Sequence, residues 1–416
     1  MSAKKPAIQA PTELVEELCT FEDRLAGSDA ERRAADRMAE RLRETGRRVE
    51  VEPTYVHPQF GLVHAAHCLL GLAGSLVSIA APALGFGMVL AAATSMYLDL
   101  NYRAYLLRRL FFRRASQNVV SRGRRTGLPA RLVLTAHIDA ARTGLVFKPA
   151  RARRSARLAT RFSWLGPFRL LFWSLALLLP ALGARMADFD SSALALVQLP
   201  PTLVLLLGIF FLLDIELSDV VPGANDNASG VAAVLAIAEE LEDSKPENLD
   251  LWVVLPGAEE CLQEGMRAFM RAHRDDLADR PTYFLNLDTV GSGGVRFNRG
   301  GGWVATYPAD QRLDELATAI AEADAEGGNR YQARALALAV AGDEMPPRLA
   351  GFPSLAIGCA DEDGYAAGYH HPSDLPDAVD PAAIERARGF TVELIRRLDG
   401  DVGRRRASGP SQPPEN

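Results

Sequence analysis

The feature that most constrains the fold is a long uncharged stretch in the first quarter of the chain. From Phe60 to Leu98 there is no aspartate, glutamate, lysine or arginine. A single helix over these 39 residues would be about 58 Å long, whereas the hydrocarbon core of a bilayer is about 30 Å thick. Two shorter spans that turn near Pro82 and Gly85 fit better. The sequence therefore predicts a transmembrane helical hairpin over residues 60–98.

A second apolar region covers residues 164–213. Its two uncharged runs, Leu170–Ala184 and Ser191–Leu213, are separated by Arg185–Asp190. Arg169, at one end, can extend its long side chain to a membrane interface. The alternative is a pair of buried core helices in a soluble protein, but uncharged runs of this length are rare in soluble domains. We expect a second transmembrane hairpin here.

Arginines cluster on the segments that flank the two hairpins. They are Arg103, Arg108, Arg109, Arg113 and Arg114 after the first hairpin, and Arg151, Arg153, Arg154, Arg157 and Arg161 before the second. Positive residues stay on the cytoplasmic side of a membrane. We therefore expect an integral protein of the inner or plasma membrane, with the rest of the chain in the cytoplasm. Few aromatic residues accompany these arginines and the net charge is −6, which argues against a nucleic-acid partner.

The remainder of the chain is typical of a soluble α/β domain. Charged residues make up 24% of the sequence, as in a globular protein. The four cysteines lack CxxC spacing, which argues against a disulfide framework and a thiolate zinc site. Residues 11–45 have the periodicity of an amphipathic helix. Predicted strands cover Arg48–Val51, Asn118–Arg122, Arg131–Ala136, Leu251–Leu255, Tyr283–Leu287 and Ser354–Gly358, and predicted helices cover Ala228–Glu242, Cys261–Asp276, Asp310–Ala325 and Pro381–Leu398.

Five short segments place an acid or a histidine where the chain leaves a predicted strand or enters a predicted helix. They are RLVLTAHIDAARTG with His137 and Asp139, PGANDNASGVAAVLAIAEEL with Asp226, LWVVLPGAEE with Glu259 and Glu260, YFLNLDTVG with Asp288, and GYHHPSDLPDAVD with His370, His371 and Asp374. Strand ends of an open α/β sheet are where ligands bind. Taken singly, each residue has a structural explanation: Asp226 could cap a helix, and Glu259 could be a surface charge. The five segments together favour a functional site.

The donor set indicates the kind of site. Histidine nitrogens and carboxylate oxygens suit zinc, with cobalt or manganese as possible substitutes. Two such cations about 3.5–4 Å apart need one shared carboxylate between them. The sequence therefore indicates a metal centre with nitrogen and oxygen ligands.

The order HxD, GANDNASG, GAEE, NLD and YHxPSD resembles the aminopeptidase-Y-like family of di-zinc exopeptidases. Its fold is shared by glutamate carboxypeptidase II, glutaminyl cyclase and the transferrin receptor. The resemblance covers roughly residues 11–59, 116–145 and 218–400. It implies an α/β fold in which a mixed central sheet is sandwiched by helices, here with the two apolar hairpins inserted.

The resemblance implies metal ligands at particular positions. They are His137, Asp226, Glu260, Asp288 and His370. Asp226 resembles the carboxylate that bridges two zinc ions. His137 and Asp288 would complete one ion, and Glu260 and His370 the other.

The resemblance also implies roles for residues that are not ligands. Glu259 resembles the general base, and Asp139 resembles the acid that orients the His137 ring. His371 is an alternative to His370, which we prefer because the family places its ligand directly after a tyrosine. Cys261, beside Glu260, is more simply a packed thiol than a ligand. The sequence also departs from the family pattern, because Leu262 stands where a glycine is usual. The segment around Asp343 resembles the one before the family's last strand.

The implied activity is that of an aminopeptidase, which hydrolyses the peptide bond at a free amino terminus. A glutaminyl-cyclase-like acyl transferase with one zinc is an alternative, and so is a non-catalytic receptor or scaffold of the same fold. All the ligand positions are retained, which favours a catalyst with two metals.

The predicted organisation combines these parts. Residues 1–59 begin the catalytic domain, 60–98 form the first hairpin, 99–163 return to the catalytic domain with basic juxtamembrane segments, 164–213 form the second hairpin, 214–400 complete the catalytic domain, and 401–416 form a disordered tail. The short turn between Asn118–Arg122 and Arg131–Ala136 predicts that these strands pair as an antiparallel hairpin. Both apolar insertions would then leave the sheet at its metal-binding end, so we expect the active-site mouth to face the bilayer.

Overall fold

A computed structural model describes residues 10–125, 127–162, 166–189, 192–337 and 340–407. The helices are α1 Pro11–Cys19, α2 Asp29–Glu44, α3 Phe60–Val77, α4 Pro82–Leu100, α5 Pro149–Arg161, α6 Pro167–Met186, α7 Ser192–Glu216, α8 Gly230–Asp243, α9 Glu264–Ala272, α10 Arg274–Ala278, α11 Gln311–Glu326, α12 Met345–Leu349 and α13 Pro381–Ala407. The strands are β1 Glu50–Val56, β2 Arg114–Ser121, β3 Ala130–Thr135, β4 Leu249–Leu255, β5 Thr282–Leu287, β6 Gly294–Asn298, β7 Gly300–Gly301, β8 Tyr307–Pro308, β9 Arg334–Leu336 and β10 Ser354–Ala360.

The central sheet is mixed, as the sequence predicts. Its strand order within the described residues is β1-β2-β4-β3-β5-β10-β6-β9. Strands β4, β3, β5 and β10 run parallel to one another, whereas β2 is antiparallel to β4 and β6 is antiparallel to β10. Strands β3, β4 and β5 are buried along their whole length, as expected for parallel strands that are covered on both faces.

Helices cover both faces of this sheet. Successive residues of β3 alternate between two apolar clusters: Leu132 and Leu134 pack with α1, α2, α8, α11 and α13, and Val133 packs with α9 and α10. This alternation follows from the two-residue period of a strand. The sheet is therefore the middle layer of three, and the ends of its parallel strands remain open for a site.

Helices α3, α4, α6 and α7 form a separate apolar bundle. Each is long and apolar enough to cross a membrane. Helix α3 packs on α4 and α7, and α6 packs on α4 and α7. The chain turns between Val77 and Pro82, close to the expected position. Helices α3 and α4 approach closely at Gly74 and Gly85, because neither residue has a side chain. A Cβ atom on Gly85 would lie only 2.5 Å from the carbonyl oxygen of Gly74.

The bundle places polar groups inside and apolar groups outside. Inside, the amide of Gln198 donates to the Ser75 carbonyl over 2.7 Å, and a His67 ring nitrogen lies 2.8 Å from the Ser95 hydroxyl. Only 22% of the apolar stretch of α7 is buried. Large exposed side chains on the four helices include Leu69, Leu76, Leu84, Leu90, Trp173, Leu177, Leu203, Leu207 and Phe210. An apolar exterior of this extent is typical of a surface that meets lipid or another apolar partner, and not of core helices.

The bundle adjoins the sheet at the end where β3, β4 and β5 finish. Leu262, two residues after Glu260, and Val304 belong to the same apolar cluster as the bundle helices. The short Leu145–Phe147 helix, which follows β3, packs on α7. The Phe147 ring centroid lies 4.5 Å from that of His370. The candidate ligands and the apolar bundle therefore lie at the same end of the sheet.

Two sequence-based predictions of local structure are wrong in detail. Strands β2 and β3 do not pair with each other, because β4 lies between them. They still run in opposite directions, so the start of β2 and the finish of β3 lie at the same end of the sheet. The single helix expected over residues 11–45 is two helices, α1 and α2, and Ser28 caps the second by accepting a hydrogen bond from the Glu31 amide.

Helix boundaries differ at two further places. The helix expected over Cys261–Asp276 begins only at Glu264 and breaks at His273. Helix α13 continues to Ala407, whereas the disordered tail was expected from residue 401. Residues 408–416 lie outside the described part of the chain.

Arg108 belongs to the arginine cluster that follows the first hairpin, but it is fully buried. Its guanidinium donates to the Asp99 carboxylate at the end of α4 over 2.9 Å and to the Glu264 carboxylate at the start of α9 over 2.7 Å. It therefore joins the bundle to α9, one of the helices that cover the sheet. A buried charge needs such partners, because desolvation is costly without them.

Replacing Arg108 with methionine is expected to lower the free energy of unfolding by about 3–5 kcal/mol, because Asp99 and Glu264 would lose their shared cation while buried. Chemical denaturation in a non-ionic detergent measures the change. The matched control is Arg109→Met on the exposed neighbour, for which a change below about 0.5 kcal/mol is expected. Equal losses in the two variants would contradict a structural role for the buried ion pairs.

Candidate metal centre

The first part of the site follows β3. His137 and Asp139 are both buried. The His137 Nδ1 atom lies 3.2 Å from the backbone carbonyl oxygen of Asp139 and 3.5 Å from its carboxylate. When Nδ1–H donates to this carbonyl, the lone pair of Nε2 remains free and points into the site. Asp139 thus orients the ring through its backbone carbonyl, and its carboxylate has other partners.

Those other partners lie in the segment after β4. The Asp139 carboxylate accepts hydrogen bonds from the backbone amides of Glu259 and Glu260, over 3.0 and 3.1 Å. On the other side of the same turn, the buried Glu31 carboxylate accepts from the Ala258 amide over 3.0 Å. Two carboxylates therefore hold the turn that presents Glu259 and Glu260.

Asp226 lies in the turn Ala224–Ser229 that precedes α8, and its peptide bond to Asn227 is cis. The Asp374 carboxylate accepts from the amides of Asn225 and Asp226, over 2.7 and 3.0 Å. The Asn227 side chain donates to the carbonyl of Leu287, the last residue of β5, over 2.9 Å. These contacts place the Asp226 carboxylate between the ends of β3 and β5.

The Asp226 carboxylate lies between two histidine rings. Its Oδ1 atom is 3.2 Å from His137 Nε2, and its Oδ2 atom is 3.2 Å from His370 Nε2. The same histidine nitrogens lie 3.7 Å from Asp288 Oδ1 and 3.3 Å from Glu260 Oε2 respectively. The structure thus brings together all five residues that the resemblance implies as ligands, with Asp226 in the middle.

The neighbouring alternatives lie elsewhere. The His371 Nδ1 atom lies 2.8 Å from the Ser373 hydroxyl, and His371 is not part of this group. Cys261 is buried, and its thiol donates to the Ala258 carbonyl. His370, with φ of +51°, has left-handed backbone, which turns its ring toward Asp226.

Several buried atoms of the site have no hydrogen-bond partner among the described residues. They are His137 Nε2, Asp226 Oδ2, Glu260 Oε1, Asp288 Oδ1 and both carboxylate oxygens of Asp343. Buried polar groups are normally paired, and a histidine lone pair that faces a carboxylate oxygen is repulsive. A cation between them converts each repulsion into a bond, so the donor set fits a bound metal.

The electrostatics of the site agree with this interpretation. Burial, followed by the neighbouring carboxylates of Asp226 and Glu259, raises the pKa of Glu260 well above its usual range. Burial lowers the pKa of His137, but the neighbouring carboxylates of Asp139, Asp226 and Asp288 outweigh it and raise that pKa well above its usual range. Carboxylates packed this closely therefore require positive charge among them.

Glu259 points into the site but is not among the grouped ligands. Its carboxylate accepts a hydrogen bond from the side-chain amide nitrogen of Gln263 over 2.6 Å. The side-chain oxygen of Gln263 in turn accepts a hydrogen bond from the Tyr102 hydroxyl over 2.6 Å. Burial and the nearby Asp343 and Asp288 carboxylates raise the pKa of Glu259 well above its usual range.

Sequence reasoning missed Glu31 and Gln263. Glu31 lies three residues after the capping residue Ser28, which is the spacing of a local capping box. Nothing further in the sequence pattern indicated its long-range hydrogen bond with the Ala258 amide. Leu262 has left-handed backbone with φ of +71°, where the family's glycine would be unstrained. Its side chain packs in the bundle cluster, so the departure from the family pattern accompanies the inserted helices.

Comparisons with known proteins agree with this geometry. Residues 211–395 match the model of peptidase family M28, whereas no curated protein sequence matches the chain. A solved Zn-dependent exopeptidase from Parabacteroides distasonis is similar with a TM-score of 0.52 and 15% identity over 94% of this chain and 99% of that one. A leucine aminopeptidase precursor from Bacteroides thetaiotaomicron has a TM-score of 0.52 and 15% identity over 94% and 98% of the two chains. Glutaminyl cyclase from Porphyromonas gingivalis has a TM-score of 0.54 and 14% identity over 95% and 100%. At these identities the likeness shows the fold.

Proposed function

We propose that this protein is a membrane-bound zinc aminopeptidase. The observation that carries the proposal is the pair of histidine lone pairs, on His137 and His370, that face the two oxygens of one buried carboxylate, Asp226. This arrangement is the one expected of a carboxylate that bridges two cations. The match to a peptidase family model over residues 211–395 supports the reaction class.

Each ligand has a place in this proposal. His137 and Asp288 would hold one zinc ion, and Glu260 and His370 the other, with Asp226 shared between them. Bound zinc would supply a water whose pKa is lowered toward neutrality, and it would polarise the carbonyl of the scissile bond. Cobalt or manganese could substitute, since the ligands are nitrogen and oxygen.

Glu259 performs the proton transfer. Its carboxylate, held by Gln263, takes a proton from the attacking water and gives it to the leaving amine. Asp139 holds the Glu259 and Glu260 amides in place, so the base and one ligand are positioned together. The turn after β4 thus keeps Glu259 next to the proposed metal ligands, although Glu259 is not itself a ligand.

The acidic lining favours a substrate with a free amino terminus. Both oxygens of buried Asp343 and one of Glu344 lack a hydrogen-bond partner among the described residues. A substrate ammonium group can donate to such oxygens, whereas a blocked amino terminus cannot. Because the bundle lies at the same end of the sheet as the ligands, short peptides or membrane-proximal amino termini are the substrates we expect.

Glutaminyl cyclisation is the second candidate, because glutaminyl cyclases are among the similar folds. The test is one assay on full-length protein purified in detergent. Bound zinc is measured by elemental analysis, and turnover is measured on a panel of aminoacyl fluorogenic substrates and on amino-terminal glutaminyl peptides. We expect zinc near two equivalents and hydrolysis of unblocked substrates only. Pyroglutamate formation without hydrolysis would identify a cyclase, and zinc-free, inactive protein would contradict both.

Membrane insertion is a separate expectation. The protein should remain with membranes after carbonate washing, because the exposed side chains of the bundle are apolar. Protease added outside sealed right-side-out vesicles should leave the catalytic domain intact, since the arginine clusters predict that it is cytoplasmic. Cleavage from outside would overturn the orientation, and solubility without detergent would overturn the insertion.

Gln263 should position the general base. Replacing it with leucine removes the amide that donates to Glu259, so we expect kcat to fall about tenfold with little change in KM, because the loss concerns the chemical step and not substrate binding. Steady-state kinetics on an aminoacyl substrate measure both constants. The control is Gln311→Leu on exposed α11, and equal effects in the two variants would contradict the role.

A further inference from the structure

A large cavity lies apart from the metal centre, at the junction of the bundle and the catalytic layer. Its volume is about 1310 Å³, and its walls come from the segment after α4, from β1, and from α9, α10 and α12. None of the candidate metal ligands lines it. The cavity begins at Asn101, immediately after α4 ends at Leu100, so it lies at the level where a transmembrane α4 would leave the bilayer.

The cavity is strongly basic. The arginines that line it are Arg103, Arg109, Arg113, Arg267, Arg271 and Arg274, and no aspartate or glutamate is part of its lining. Of these six, Arg267 lies 3.9 Å from the Asp99 carboxylate. The described part of the chain offers no carboxylate within 4.0 Å of any of the other five. We call this site the arginine cavity.

Aromatic groups complete the lining. Arg267 lies over the rings of Tyr102 and Tyr105, at 4.9 and 4.2 Å from their centroids. Arg113 lies over the ring of Tyr55 at 5.8 Å. Planar guanidinium groups arranged in this way bind phosphate through paired hydrogen bonds.

An apolar edge lies in the segment after α4, from which Phe111 lines the cavity. On the same segment, Leu110 and Phe112 are 80% and 58% exposed, and Leu106 is 47% exposed. Apolar side chains next to unpaired cations suit an amphipathic ligand with a negative head and an apolar tail. A free anion would not use the apolar edge.

We propose that the arginine cavity binds the phosphate headgroup of an anionic phospholipid, with Arg271, Arg274, Arg103 and Arg109 on the phosphate and Leu110 and Phe112 beside the acyl chains. The proposal rests on the membrane placement proposed above. It goes beyond general attraction of basic segments to an anionic surface, because the cavity encloses the headgroup from several elements at once. Helix α5 provides the comparison, since its Arg154 and Arg161 are exposed and do not line the arginine cavity.

The test is a titration of full-length protein in non-ionic detergent, with the thermal unfolding midpoint as readout. The probes are dioctanoyl phosphatidylglycerol, dioctanoyl phosphatidylcholine and inorganic phosphate. We expect a saturable rise with phosphatidylglycerol and none with phosphatidylcholine. The double substitution Arg271→Gln/Arg274→Gln should weaken apparent affinity about twenty-fold, since each arginine near an anionic headgroup contributes roughly fivefold. The pair Arg154→Gln/Arg161→Gln should change it less than about twofold.

Four results would overturn the proposal: no response to phosphatidylglycerol, an equal response to phosphatidylcholine, equal weakening in both variant pairs, or inorganic phosphate that binds as tightly as the lipid. If the first pair fails to fold, Arg103→Gln/Arg109→Gln on the opposite wall must show the same selective loss. Zinc content and peptide hydrolysis are measured on the same preparations. Lipid binding without hydrolysis would contradict only the proposed peptidase, and hydrolysis without lipid binding would contradict only the arginine cavity.

Discussion

Replacing Glu259 with glutamine is expected to lower kcat by about 10²–10⁴-fold while leaving bound zinc unchanged. The amide keeps the shape of the side chain but cannot accept a proton, and general base catalysis contributes about that much. The readouts are elemental zinc per protein and turnover on an aminoacyl substrate. The side chain of Gln263 donates to this carboxylate. The side-chain oxygen of a glutamine at position 259 can accept the same hydrogen bond, so the turn after β4 should remain folded.

Two comparisons make this prediction specific. Glu260→Gln changes a proposed ligand, so it should lose zinc together with activity. Glu362→Gln changes an exposed acid outside the site and should affect neither. Hydrolysis at the parental rate by Glu259→Gln would show that another group is the base, and loss of zinc in that variant would show that Glu259 is a ligand.

Replacing Asp226 with alanine is expected to remove the metal centre altogether. Its two carboxylate oxygens lie 3.2 Å from Nε2 of His137 and of His370 respectively, so neither proposed ion would keep its ligand set. Zinc content and turnover should both fall to background. Metal that binds only the folded state at about 1,000 times its Kd stabilises it by about 4 kcal/mol, so chelation should lower the unfolding midpoint of the parental protein.

The same chelation should leave the midpoint of Asp226→Ala unchanged, because that variant has no metal to lose. The matched control is Asp377→Ala, which removes an exposed carboxylate from the neighbouring Pro376–Ala378 turn. It should keep its zinc and its response to chelator. An Asp226→Ala protein that retained two zinc ions would contradict the bridging role.

The position of the bundle limits the substrates that can be considered. Phe147 joins the two parts of the molecule: its short helix packs on α7, and its ring contacts His370. Arg108 joins them again through Asp99 and Glu264. The end of the sheet that carries the candidate ligands therefore forms one continuous structure with the apolar helices, and we expect substrates to reach the proposed site beside the bundle.

The sequence by itself determined the parts that depend on local pattern. Uncharged runs predicted the four apolar helices because each run is long enough to span a bilayer, where the backbone groups must pair within the helix itself. Apolar strands followed by His137, Glu259 and Asp288 predicted the ends of β3, β4 and β5, where parallel strands bring their following residues together. The resemblance carried by the motif order then implied the candidate ligands, and the structure groups these residues around Asp226.

Only the tertiary structure decided the contacts between distant segments. The position of β4 between β2 and β3 depends on which strand edge is buried, and this has no local signal. Glu31 has the spacing of a capping residue but also holds the Ala258 amide, and Arg108 belongs to a basic cluster but is buried against two acids. The arginine cavity likewise appears only when the segment after α4 comes together with β1, α9, α10 and α12. These roles depend on burial and on distant partners, since Ala258 is 227 residues from Glu31 and Glu264 is 156 residues from Arg108, and periodicity and composition do not encode such contacts.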